Sequence, residues 1–116
     1  MAENLATTPL VRRADPGGNG SEPDIPPTPR GLSPASRRFW RSVTERWALD
    51  VASLQLLELH VRAMDRYAAA DREIRRDGPT VMVDGKLKTH PAHAVMRDNL
   101  REARQILRQL NLEVGE

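Results

Sequence analysis

The chain has 116 residues, room for one domain, with 18 basic and 16 acidic side chains, a net charge of +2 and no cysteine. The absence of cysteine excludes disulfides, thiolate metal sites and thiol catalysis, and it fits a reducing compartment, with cytoplasm as the default. A charge of +2 does not by itself argue for nucleic acid, and no run approaches the roughly 18 apolar residues of a membrane span, so the expected protein is soluble.

Six of the nine prolines and three of the seven glycines fall in the first thirty residues, where no apolar residue recurs at helical or strand spacing. Residues 1–30 are therefore expected to be a disordered Pro/Gly-rich arm, whose interspersed charges read as neither a signal nor a transit peptide. Residues 31–113 hold the expected helical domain. The aromatics of the chain are Phe39, Trp40, Trp47 and Tyr67, which leaves the core to Leu, Val, Ile, Met and Ala. So thin a core in so short a folded part predicts self-association.

Leu32-Ser33-Pro34 predicts a helix start, because a hydroxyl can cap it and proline at the first helical position lacks only an N–H that would be unpaired there anyway. The helix is expected to run to about Trp47. Phe39, Trp40, Val43 and Trp47 make its apolar face, and Arg37, Arg38 and Arg41 its basic back. With Arg46 against Glu45, residues 31–49 carry a charge of +3.

Asp50 is the next expected cap, opening a helix over about residues 51–76 that meets no breaker until Asp77-Gly78-Pro79. Leu54, Leu57, Val61, Met64 and Ala68 form one stripe, and Leu56, Ala63, Tyr67 and Ile74 a second about 110° around. One partner helix cannot cover both, so two neighbours are predicted: the third helix, and either the first helix or another subunit.

Asp84-Gly85 lies between Thr80-Val81-Met82-Val83 and Lys86-Leu87-Lys88-Thr89, two short β-prone runs around a type I′ turn signal. A small β-hairpin is expected there, with an irregular loop as the other form, since isolated hairpins are marginal in water. Pro91 is placed as the first residue of a third helix running to Leu110, and Asn111 can take the left-handed position that ends it. Ala92, Met96, Leu100, Ala103, Leu107 and Leu110 are its expected apolar side. Arg97, Arg101, Arg104 and Arg108 form a second side, and Asp98, Glu102, Gln105 and Gln109 a third. The fold class is all-α: a short N-terminal helix and a long antiparallel two-helix hairpin with a small β-hairpin or loop at its tip.

Two arginine sets are the candidate binding residues. Arg37, Arg38, Arg41 and Arg46 would meet DNA phosphate or form an ordinary polar face; phosphate contacts position a duplex without reading its bases. Arg97, Arg101, Arg104 and Arg108 repel one another along the helix and call for an acidic neighbour, which could be DNA, another subunit, or the acids of the second helix. His90 and His93 have no third ligand at metal spacing and read as capping or surface residues, and His60 as a packed or interface residue. There is no Gly-rich phosphate loop and no organised Ser/His/Asp set, so no catalytic residue, metal or cofactor is expected.

In order, Leu32-Ser33-Pro34 before a Phe-Trp helix, Trp47-Ala48-Leu49-Asp50, Tyr67, Asp77-Gly78, Asp84-Gly85, His90-Pro91 and Leu110-Asn111-Leu112 resemble the tailed-phage terminase small subunits, over about residues 26–113. More narrowly they are similar to the type with a Trp-containing first helix and a His-Pro pair starting the last helix. The resemblance implies a non-catalytic packaging initiator in the bacterial host cytoplasm. It would bind double-stranded viral DNA as a homo-oligomeric ring and recruit or regulate the large subunit that holds the ATPase and nuclease. Trp40, Trp47, Leu54, Tyr67, Gly78, His90 and Pro91 match positions that look structural. Asn111 stands where glycine is more usual. The competing reading is a structural adaptor that assembles without touching DNA.

Overall fold

The computed structural model describes residues 11–12 and 25–111. Helix α1 (Pro34–Arg46) begins as its sequence predicts: Ser33 Oγ accepts from the Ser36 amide at 3.1 Å, and Pro34 occupies the first turn. It stops one residue before the expected Trp47, whose backbone is extended (φ −123°, ψ 138°). Strand β1 (Val11–Arg12) pairs antiparallel with β2 (Trp47–Ala48). Apart from this pair and residues 25–30, the arm expected to be disordered lies outside the described residues.

Helix α2 (Val51–Asp77) is capped by Asp50, which accepts from the Ser53 amide at 2.8 Å, a bond that holds the Asp50 carboxyl below its usual range. Its 27 residues span about 40 Å. It ends at Gly78, whose φ of +89° a side chain would resist and whose N–H closes on the Ile74 carbonyl at 2.7 Å. Strands β3 (Thr80–Val83) and β4 (Lys86–Thr89) form the expected hairpin, with Asp84 and Gly85 at φ 52° and 74° as a type I′ turn requires. Helix α3 (Ala92–Leu110) returns along α2. It closes at Asn111, left-handed at φ 57° and ψ 43°, whose N–H reaches the Leu107 and Arg108 carbonyls. Pro91 precedes this helix instead of opening it.

The core lies at the α1 end, where Leu32, Trp40, Val43, Leu57, Val61, Ile106 and Leu110 bury against one another with Phe39, Trp47, Leu49, Leu54 and Leu56 around them. Both predicted neighbours of α2 come from its own chain. Leu57 and Val61 sit in this cluster, while the buried Ala63 and Ala70 lie about 150° around the helix, on the side of α3. Four of the ten buried residues of α2 and α3 are alanines, Ala63, Ala70, Ala92 and Ala103, and where such small side chains meet the two backbones can approach closely.

The inward row of α3 is Ala92, Asn99, Ala103, Ile106 and Leu110, rotated roughly 40° from the expected apolar side. Met96, Leu100 and Leu107 are only half-buried. Asn99 tolerates burial because its amide is satisfied: Oδ1 accepts from Arg66 Nε and Nδ2 donates to the Val95 carbonyl, both at 2.8 Å.

Asp65 of α2 anchors the start of α1. It accepts from the Ser33 amide at 2.8 Å and from the Ser33 and Ser36 hydroxyls at 2.6 Å each. Burial pushes its carboxyl up, but these bonds together outweigh that and hold it below the ordinary value. Asp65→Ala is expected to cost about 1–3 kcal/mol in urea unfolding at neutral pH. A carboxyl lowered by folding stabilises fully above its unfolded value of about 3.9 and loses that contribution as pH falls through the lower folded value, so the wild-type advantage should begin to shrink only below about pH 4.

Candidate nucleic-acid interface

The four arginines expected on the first helix do not form one equivalent set. Arg37 is tied into the fold, its Nη1 donating to the Leu32 carbonyl at 2.7 Å just before the helix begins. Arg46 lies 5.9 Å over the Trp47 ring. Arg38 and Arg41 are exposed, line a shallow groove with Pro34, Arg37, Ser42 and Glu45, and make no ion pair among the described residues. Among the described residues they are the two cations of α1 with neither a hydrogen-bond nor a ring partner for the guanidinium.

On α3 the predicted row is intact. Arg97, Arg101, Arg104 and Arg108 are all exposed and line one groove with Leu100. Arg97 has Asp98 at 3.7 Å, and the other three make no ion pair among the described residues. Among the described residues no acid of α2 pairs with this row, and three of them serve arginines of α2 itself. Glu58 pairs with Arg62 at 2.7 Å, Asp71 with Arg75 at 2.9 Å and Asp77 with Arg76 at 2.8 Å. Among the described residues Glu102, on the polar side of α3, reaches only Arg66, at 3.9 Å.

His60 and His90 are structural. His60 is buried, with Nδ1 donating to the Ala103 carbonyl at 3.0 Å and Phe39 5.3 Å from its ring centre. His90 is buried too, and both its nitrogens are used. Nδ1 accepts from the Ala92 amide at 3.0 Å, capping α3; this leaves the proton on Nε2, which donates to Asp77 Oδ2 at 3.0 Å. The Arg76 hydrogen bonds first, and then that of His90, hold the Asp77 carboxyl far below its usual range. His93 turns its backbone N–H to the His90 carbonyl. Among the described residues no three His, Asp or Glu side chains converge on a point that could hold a metal.

Two apolar features escaped the sequence reading. Ala35, Phe39, Met64, Tyr67 and Ala68 line an open groove of about 450 Å³ between α1 and α2, where short α1 leaves α2 uncovered. Met82 and Leu87 face each other across the hairpin, 67% and 66% exposed. The turn signal could have given that pairing, since a two-residue loop dictates the register. No helix among the described residues is long and apolar enough to cross a membrane.

His90→Ala is expected to free the hairpin and the start of α3 together, costing about 1–3 kcal/mol and raising amide exchange over residues 80–95 more than in α1. The family model described as phage terminase, small subunit, matches residues 36–114 of this chain. No curated protein and no solved structure matches it.

Proposed function

The chain belongs to the phage terminase small-subunit family, which places it in viral genome packaging, and on that premise we propose that it binds double-stranded viral DNA as a homo-oligomeric ring and recruits or regulates the large subunit. It acts in the cytoplasm of the bacterial host and has no catalysis of its own; ATP hydrolysis and DNA cleavage belong to the large subunit. The family match over residues 36–114 carries the reading. Arg38 and Arg41, exposed and without an ion pair among the described residues, support the phosphate contact, because such side chains release counterions when they meet a duplex.

Assembly has separate support. The core is a small cluster at one end, and the described residues leave apolar surface uncovered both in the α1–α2 groove and on the hairpin. Surfaces of this kind, at different places on one molecule, fit head-to-tail contacts that close into a ring.

Duplex binding should be measured by gel shift at low salt, with particle mass from native mass spectrometry. Arg37 is left in place because it also holds the Leu32 carbonyl. Arg38→Ala with Arg41→Ala is expected to weaken binding about tenfold or more and to flatten its salt dependence, leaving the mass unchanged. No duplex binding by the wild type at low salt would sink the DNA reading in favour of an adaptor, and a strict monomer at micromolar concentration would sink the ring.

A further inference from the structure

Resting on the DNA-binding reading, we infer that the outer row of α3 is a second contact for the nucleic-acid backbone, separate from α1, in which Arg97, Arg101, Arg104 and Arg108 form a track for the phosphates of one strand. The row lies about 160° around the helix from the buried residues of α3, so it faces directly away from α2. From Arg97 to Arg108 it extends about 16 Å along the axis, long enough to meet more than one phosphate of a strand.

The competing occupant is a protein face, either a second copy or another partner. A second copy has no acidic surface to offer among the described residues. Of the ten carboxylates in residues 25–111, Asp50, Glu58, Asp65, Asp71 and Asp77 accept hydrogen bonds within the chain. Asp98 and Glu102 lie within 4 Å of Arg97 and Arg66. Glu45, Glu73 and Asp84 remain, on α1, on α2 and in the hairpin turn, which makes no common face.

The row also lacks the apolar centre of a protein interface. Leu100 is the apolar side chain in its groove, and a protein face covering the row would have to supply counter-charges, because guanidinium groups buried without them are penalised. A phosphate backbone neutralises the row while leaving it in contact with water, and each guanidinium fork matches phosphate oxygens in two-point geometry.

The test compares the full-length protein, its Arg97→Gln, Arg101→Gln, Arg104→Gln, Arg108→Gln quadruple variant, and the same four positions changed to Lys. Binding to a duplex of arbitrary sequence is titrated from about 50 to 200 mM KCl, alongside particle mass and far-UV circular dichroism. The Gln variant is expected to keep wild-type mass and helix content while the slope of log K against log salt falls by about 2 or more, each lost phosphate contact being worth about 0.9. The Lys variant should keep a slope near wild type.

An unchanged slope in the Gln variant, with the wild type binding, overturns this inference alone. A loss of particle mass overturns it in favour of a subunit interface. Should the Gln variant lose helix content, Arg101→Gln with Arg104→Gln decides in its place, and an unchanged slope there is equally fatal. Failure of the wild type to bind duplex at all overturns the parent reading.

Discussion

The hydrogen bond from His60 Nδ1 to the Ala103 carbonyl ties α2 to α3 at a point where Phe39 of α1 lies against the same ring. Three helices converge on one side chain. His60 occupies the sector of α2 between its two buried faces, Leu57 and Val61 toward α1 and Ala63 and Ala70 on the side of α3. A helix with apolar residues around nearly half its circumference cannot be stable alone in water, so the short first helix and the returning third helix exist chiefly to cover it. Polar anchors set where they sit. Asp65 receives the start of α1, and the Asp77–His90 pair fixes the turn into α3.

Because these anchors and the ion pairs of α2 engage four of its five acids, Glu58, Asp65, Asp71 and Asp77, α2 offers little counter-charge to the arginines of α1 and α3. The outer surface of α2 is self-neutralising, with each of three arginines paired to an acid one or four residues away. Among the described residues α1 has no such pair, and α3 has only Arg97 with Asp98. The charge of +2 for the whole chain therefore hides a strongly uneven surface, and binding of a polyanion depends on that local distribution.

Most of the local structure was legible in the residues. Ser33-Pro34, Asp50, Gly78, Asp84-Gly85 and Asn111 each encode a backbone state or a cap, and each occupies the position its chemistry predicts. Where the reading shifted, a longer-range partner was the cause. Trp47 leaves the helix to pair in β2, His90 takes over capping from the proline placed as the first helical residue, and Asn99 turns inward because Arg66 and the Val95 carbonyl satisfy it. Ile106 follows Asn99 inside, and Leu100 and Leu107 move toward the edge.

The sequence by itself determined the elements, their order, the turn type at the tip and the grouping of α3 arginines on one side, since these depend on spacing and on contacts a few residues apart. It also carried the family resemblance. Only the tertiary structure decided which side of α3 turns inward, that both neighbours of α2 come from the same chain, and which arginines stay unpaired. Those outcomes depend on residues 30 or more positions apart, such as Arg66 with Asn99 and His60 with Ala103. Periodicity defines the faces of a helix, but which face is buried depends on the partner available to satisfy its polar groups.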